Sequence, residues 1–543
     1  MLPDQGSEDS DTAIELSSAN EDAKVETDET PGPKAEIQEI ECYDNLGFSF
    51  PRWKKWTIIS VIFAVQVSMN FNTSVYSNAI TPLTEHFGIS SQTAKVGQMI
   101  FLVAYAFGSE LWAPWSEELG RRPVLQLSLF LVNIWQIPCA LAPNFATIIV
   151  GRLLGGLSSA GGSVTLGMVA DMWEPDEQQY AVAFVVLSSV AGSAVGPIAG
   201  GYIETFLSWR WIFWIQLILG VTVQILHLFV PETRSTIMLN KEARERRKSG
   251  QQLNVYGPGE IRERGLSVRQ ILVIWVRPFE MFFREPIVLC LSLLSGFSDA
   301  LIFTFLESFK PVFKQWNFST VEIGLAFIPI IIGYIIAYFS FFPVIRKQQR
   351  SILRQDPDGL QPESRLWWLL FTAPLETIGL FGFAWTSLGP PQVHWIAPMV
   401  FATLIAIANY CIYMATIDYM VASYGPYSAS ATGGNALARD LLAGVAALYA
   451  TPLYENVSDK YTLEYPSTIL ACLAFVVTIP IYIFYWKGPV LRERSKFAQT
   501  LASDQKARRE HRRVTELEKY EAMRAEPLPP GVTAHSSFER RSV

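Results

Sequence analysis

The sequence predicts an all-α polytopic membrane protein with twelve transmembrane helices in two six-helix halves. Three observations carry that prediction. Apolar runs of spanning length recur twelve times between residues 56 and 486. One long charged gap divides them six and six. Only 17% of the 543 residues are charged, 50% are hydrophobic, and mean hydropathy is +0.23. A soluble chain carries about 25% charged residues, so the composition disfavours a soluble enzyme.

The first 48 residues hold fourteen acidic residues against two lysines. The remainder is therefore net basic, although the whole chain sums to −7. Such an arm has too little apolar surface to fold alone, and the expectation is a disordered tail over 1–48. It lacks a charged-then-apolar leader pattern, so no cleavage is expected. The five cysteines (Cys42, Cys139, Cys290, Cys411, Cys472) form no CxxC pair, which gives no disulfide scaffold and no metal motif.

A span needs about 20 mainly apolar residues. The first half, 49–230, contains runs at 56–78, 95–115, 123–142, 147–170, 180–203 and 210–230. The second half, 287–487, contains 287–309, 321–343, 367–388, 395–417, 428–451 and 467–486. The gap at 231–286 is rich in Lys and Arg, and its run Ile271–Val276 is too short to cross, which fits a helix lying in the interface. From 488 to 543 the chain is polar and mildly basic, and reads as a second tail.

Lys and Arg placement sets orientation. Arg121, Arg122, the central gap, Arg346, Lys347, Arg350 and Arg354 all fall on one side. The opposite loops hold only Lys310, Lys314 and Lys460. The first set is expected to be cytosolic, with both termini. The sequons at Asn317 and Asn456 then fall in external loops and are glycosylation candidates.

Twelve spans in two halves suggest a transporter with its substrate site between the halves. The fifth span contains Gly192-Ser193-Ala194-Val195-Gly196-Pro197-Ile198-Ala199-Gly200-Gly201. Small residues four apart let helices approach closely, and Pro197 removes a backbone donor. The loop after span two reads Ala113-Pro114-Trp115-Ser116-Glu117-Glu118-Leu119-Gly120-Arg121-Arg122. Span four carries Arg152-Leu153-Leu154-Gly155-Gly156.

The fifth-span run matches the G-x-x-x-G-P-x-x-G-G pattern of drug:proton antiporters of the major facilitator superfamily. The loop resembles the superfamily's G-x-x-x-D-R-x-G-R-R, with Ala113, Glu117 and Glu118 as departures that resemble its fungal drug-antiporter branch. Pro231-Glu232-Thr233 and Pro362-Glu363-Ser364-Arg365 resemble the same branch. The similarity covers roughly residues 45–500. It implies a conformational latch built from Glu117, Arg121 and Arg122, with Asp171 as the partner of Arg121. It implies a part in proton transfer for Arg152, although Gly155 stands where the family has Gln. The alternative for Arg152 is snorkelling to the outer surface.

Intramembrane carboxylates are functional candidates by default. They are Glu110, Asp299, Glu376 and Asp440, with Glu307 close enough to the outer end to be wetted. Asp299 has no basic residue in its own span. Glu110 lies one turn above the latch loop and is equally a candidate for that network. Arg439 and Asp440 are adjacent and point about 100° apart, so each should pair with another helix. Span one carries Asn70, Ser74 and Asn78 on roughly one face, expected to line a wet cavity. Tyr105, Tyr334 and Tyr413 are further cavity candidates.

The resemblance implies a proton-coupled exporter of amphipathic organic compounds, working by alternating access. It needs no cofactor and no metal; the drive is the proton gradient. The expected partners are small organic substrates, protons and the lipid bilayer, without nucleic acid, and the protein should be a monomer in the plasma membrane, with the vacuolar membrane as the alternative. No Walker A pattern is present, against an ATP-driven pump. No Ser/His/Asp constellation suggests an enzyme. An importer or polyamine carrier on the same fold is the second reading, and a non-transporting sensor a remote third.

Overall fold

The computed structural model describes residues 35–37, 42, 45–173, 177–250, 254–261, 268–354, 361–424, 428–458 and 460–495. The first half contains α1 (Arg52–Ser74), which passes through a 3-10 turn into α2 (Ile80–Phe87), then α3 (Ser91–Glu118) and α4 (Arg121–Ala140). It continues with α5 (Phe145–Leu157), α6 (Gly161–Met172), α7 (Gln179–Phe206) and α8 (Arg210–Leu228). The linker holds α9 (Ser235–Lys248), α10 (Pro258–Ile261) and α11 (Val268–Arg284). The second half contains α12 (Pro286–Lys314), α13 (Thr320–Leu325), α14 (Ile328–Leu353), α15 (Leu369–Thr372) and α16 (Pro374–Thr386). It ends with α17 (Ile396–Tyr424), α18 (Ser428–Asn456) and α19 (Glu464–Arg494).

Local sequence explains the boundaries. Ser90 caps α3 by accepting from Thr93 N–H, and Asn144 caps α5 by accepting from Thr147 N–H. Ser319 and Glu322 form a reciprocal capping box on α13. Pro374 has no N–H for the Leu370 carbonyl, and the Tyr482 hydroxyl of α19 donates to that carbonyl instead, at 2.9 Å. On α4 the residues Leu127, Phe130, Ile134, Ile137 and Leu141 are exposed at helical spacing. That stripe faces outward because its solvent is hydrocarbon rather than water.

Among the described residues eleven helical segments are long and apolar enough to cross a membrane. The expected fourth span, 147–170, is not one of them: it is split into α5 and α6. Hydropathy reads the stretch as continuous, but Gly155, Gly156, Ser158, Ser159, Gly161 and Gly162 hold a helix weakly. The break would be untenable in lipid unless its freed backbone groups were satisfied. Ser128 of α4 satisfies two of them. Its hydroxyl donates to the Ser158 carbonyl at 2.7 Å and accepts from Ala160 N–H at 2.9 Å. Trp112 Nε1 donates to the Leu157 carbonyl at 3.0 Å.

The tails depart from expectation in part. Residues 1–34 and 496–543 lie outside the described residues, so the disorder expected there is untouched. The stretch nearest the first helix is ordered, against a disordered reading of all of 1–48. Strand β1 (Ala35–Glu36) pairs in parallel with β2 (Val255–Tyr256) of the linker. Ile37, Cys42 and Leu46 bury against Leu239 and Ala243 of α9. The arm found its apolar partner in the linker, two hundred residues away, which composition cannot register. The linker is pinned in turn by Glu260, which accepts from Arg244 and Arg247. Burial opposes the charge on Glu260, but those bonds and one from Gly257 N–H prevail and hold its carboxyl below the usual range. The second tail starts later than 488, because α19 runs to Arg494. The short apolar run of the linker lies within the 17-residue helix α11, whose Leu272, Val273 and Val276 are exposed.

Replacing Ser128 by Ala should leave the Ser158 carbonyl and the Ala160 N–H unpaired, destabilising by about 1–3 kcal/mol for each buried group. Thermal unfolding of the detergent-solubilised protein should fall for Ser128→Ala and much less for Ser128→Thr. Equal melting of all three proteins would show that the break is satisfied by other means.

Candidate functional site

The halves meet along α3 with α18 and along α7 with α13 and α14. Four charged side chains of the interior, Glu110, Asp299, Arg439 and Asp440, collect at the first of these seams. Arg439 of α18 pairs with Asp299 of α12 at 3.4 Å, both nearly inaccessible. Asp299 therefore has a basic partner after all, supplied by another helix as its neighbour Asp440 led us to expect for Arg439. The Arg439 guanidinium lies 3.6 Å above the Tyr413 ring. Asp440 interacts electrostatically with Arg439 and Asp299. Tyr334 interacts likewise with Asp299 and Arg439, and Tyr105 with Asp440 and Tyr413. So the three tyrosines and two of the carboxylates singled out in the sequence converge.

Glu110 joins them from the other half. It is buried on α3, faces Gly433 of α18, and interacts electrostatically with Asp440. Its Oε1 has no hydrogen-bond partner. It is not part of the latch network, because the latch arginine turns elsewhere. The cluster thus brings three carboxylates together with one guanidinium. With all three ionised, a dry seam would carry uncompensated negative charge, which is strongly disfavoured. The arrangement is suited to taking up protons or a cationic group.

Glu376 stands apart, fully buried on α16. It accepts from Ser298 Oγ, and Asn409 Nδ2 donates to that same hydroxyl at 3.1 Å. Its Oε2 and the Asn409 Oδ1 have no partner. Among the described residues no basic side chain forms an ion pair with it.

Arg152 does not snorkel. It is buried, donates from Nη1 to Asn72 Oδ1 at 2.8 Å and from Nε to the Gly97 carbonyl at 3.2 Å, and packs over Phe101 and Tyr76. No acidic residue is paired with it among the described residues. It ties α1, α3 and α5 together.

The expected cavity row of span one is taken up by helix packing. A Cβ on Gly196 would strike Ser74, one on Gly200 would strike Asn78, and one on Gly192 would meet the Asn70 Cβ at 2.7 Å. Asn78 also donates to Glu204 at 2.9 Å. The glycine ridge of α7 therefore receives the polar edge of α1, which sequence alone had assigned to solvent. The next residue serves the other half. A Cβ on Gly201 would stand 3.0 Å from the Thr320 carbonyl, and the Pro197 carbonyl packs on Gly324. One motif thus seats α7 on α1 and on α13.

Arg121 meets Asp171 as the resemblance implied, Nε to Oδ2 at 3.0 Å, and both are buried. The partner acid on the loop side differs. Glu117 makes no ion pair among the described residues. Glu232 accepts instead from the backbone N–H groups of Arg121, Arg122, Thr233 and Arg234. Arg122 is exposed and donates to the Leu228 carbonyl at 2.7 Å. The second half repeats the device. Arg492 donates twice to Glu363 at 2.8 Å, and Arg365 pairs with Asp418. Gln179 of α7 joins the halves here, donating to Asp418 at 2.9 Å and to Gln348 at 3.0 Å.

On the opposite face the halves are joined by full charges. Lys95 of α3 pairs with Glu307 of α12 at 2.8 Å and donates to Thr451 of α18. Lys95 is 3% exposed and Glu307 12%, so Glu307 is sequestered rather than wetted. Lys310 adds a bond to Thr81 of α2 at 2.9 Å. Sequence gave little warning, since a lysine at the start of a span reads as an ordinary flank. Asn317 and Asn456 are exposed on this same face. Among the described residues no three His, Cys, Asp or Glu side chains form a metal-binding group.

Removing one partner of a buried pair costs about 3–5 kcal/mol because the other charge is left stranded. Glu307→Gln should therefore loosen this face. A cysteine placed at Gln98, which is buried one turn inward of Lys95, should react slowly with a membrane-impermeant maleimide. The same cysteine should react faster with Glu307→Gln and slowly again in the charge reversal K95E/E307K. Unchanged labelling would show that other contacts keep this face closed.

A family model described as Major Facilitator Superfamily matches residues 62–448. An MFS-type transporter of Penicillium rubens, paaT, is 32% identical over 449 residues, covering 82% of this chain and 80% of the relative. The efflux pump FUB11 of Gibberella moniliformis is 30% identical over 503 residues, covering 91% and 84%. The proton:xylose symporter XylE superposes with a TM-score of 0.54 at 17% identity, covering 81% of this chain and 96% of that one. That last likeness speaks for the fold alone. With two joined six-helix halves, matched motifs and relatives named as transporters rather than enzymes, the chain belongs to the Major Facilitator Superfamily.

Proposed function

We propose that this transporter exports amphipathic organic compounds in exchange for protons, by alternating access of a site at the α3–α18 seam. The observation that carries the reading is the surplus of carboxylates there: Arg439 pairs with Asp299 and attracts Asp440, while Glu110 faces Asp440 with no cation beside it among the described residues. A proton arriving from outside neutralises part of that surplus, and its departure inward restores it. Because Glu110 belongs to one half and Asp440 to the other, their repulsion depends on protonation and acts directly on the seam. The tyrosines supply aromatic faces that suit amphipathic and cationic substrates. Arg439 holds Asp299 and orients the cluster. Glu376 is a second place for a proton, held from α12 by Ser298, the residue before Asp299.

The basic face, with the termini, lies in the cytosol, and the face of Asn317 and Asn456 lies outside, where both are open to glycosylation. A monomer in the plasma membrane suffices, with no cofactor. The latch around Arg121 and its counterpart around Glu363 close the cytosolic side, and Lys95–Glu307 closes the outer side. The relative named as an efflux pump supports export over import.

Cells expressing the chain should retain less of a labelled amphipathic compound, and a protonophore should abolish the difference. Asp440→Asn and Glu110→Gln should each flatten the dependence of export on external pH while leaving protein at the membrane. Asp299→Asn should instead lower transport at every pH, by freeing Arg439. Increased accumulation, or an unaltered pH profile in both seam variants, would overturn the reading.

A further inference from the structure

The basic end of α14 carries a feature that transport does not use. Pro343, Arg346, Lys347, Arg350, Ser351 and Arg354 line one cavity of about 470 Å³. Their spacing places them on a single helix face. The four cations make no ion pair among the described residues, and Lys347 rests over the Trp367 ring at 4.5 Å. The same face continues into the apolar part of the helix. Ile332, Ile336 and Phe339 are exposed there, at the same spacing. One stripe of α14 is thus greasy for three turns and then cationic for three turns, with a concavity where the character changes.

We propose that this groove binds the headgroup of an anionic phospholipid of the cytosolic leaflet, with its acyl chains along Ile332, Ile336 and Phe339. Arginine forks match phosphate oxygens in pairs, and the Ser351 hydroxyl adds a donor. A free phosphate would use the cations but not the apolar stripe. A lipid uses both. The site also touches the moving parts: Gln348, on the same turns, joins Gln179 of the first half and donates to the Ser364 carbonyl at 3.0 Å. A bound headgroup would hold that end of α14 in place and so favour the closed cytosolic side. The inference rests on the orientation proposed above, which transport direction tests separately.

The full-length chain would be purified into nanodiscs of phosphatidylcholine with a minor fraction of fluorescent phosphatidylinositol. Energy transfer from Trp367 and its neighbours would report retention. Native protein should retain the labelled lipid, and each charge removed in the series R346Q, R346Q/R350Q and R346Q/R350Q/R354Q should weaken retention about fivefold. R350K should retain the lipid, which shows that loss is not misfolding. Competition by soluble inositol phosphate at the same concentration would overturn the lipid assignment, since a free anion would then suffice. Asp356 and Asp358 and the acidic residues before 35 are the rival anions. If truncation of 1–34, or Asp356→Asn with Asp358→Asn, is required before any lipid binds, the groove pairs with the chain itself and the proposal fails.

Discussion

A charge inside a membrane protein must have a partner, and the partner decides which helices stay together. Nearly every buried cation here shows the rule. Lys95 is met by Glu307, Arg121 by Asp171 and Arg439 by Asp299, and the half-buried Arg492 follows suit with Glu363. Arg152 is the variation, held by two carbonyls, one amide and two aromatic rings while its Nη2 has no hydrogen-bond partner. Lipid offers no competing hydrogen bonds, so each pairing fixes a helix end or a seam more firmly than it would in water. The glycine ridge of α7 then fills in the close approach that these pairings permit.

The two halves answer the same constraint in related but unequal ways. Each has an arginine on the loop after its second span, Arg121 or Arg365, held by an aspartate at the end of its fourth, Asp171 or Asp418. Each adds a glutamate between that loop and its last span, half-buried in the first half and buried in the second. In the first half Glu232 gathers backbone N–H groups, whereas in the second Glu363 takes a bidentate arginine. Only Asp418 is also reached from across the molecule, by Gln179. Closure at this face is therefore mostly made within each half, with the contacts of Gln179 reaching between them.

The apolar spans were legible because a run of some twenty apolar residues has few other uses. The break between α5 and α6 was not, since hydropathy does not register whether a helix is continuous, and the hydroxyl that makes the break tolerable, that of Ser128, comes from a different span. The glycines of α7 could be read as a packing surface, but not which faces they served. Asn70, Ser74 and Asn78 looked like cavity lining because polarity alone does not distinguish water from a glycine-lined groove. Asp299 looked solitary because its arginine lies 140 positions further on. Arg439 and Asp440, being adjacent, did announce that each needed a distant partner. The pairing of Arg121 with Asp171 is legible from the resemblance, but the bonds of Glu232 to this loop are not, because a loop motif points to its own acids and a carboxylate past the end of α8 is invisible to it.

The pair Lys95–Glu307, on the face opposite the Arg121 network, has a kinetic side. Two buried charges of opposite sign gain roughly as much from each other as they lost on leaving water, so the closed and fully opened states differ little in free energy on their account. The intermediate arrangement is different. When Lys95 and Glu307 have parted but water has not yet entered, both attraction and hydration are missing. That moment is a barrier without being a bias. The pair would act as a timer on the parting of the halves at this face, slowing opening and closing equally.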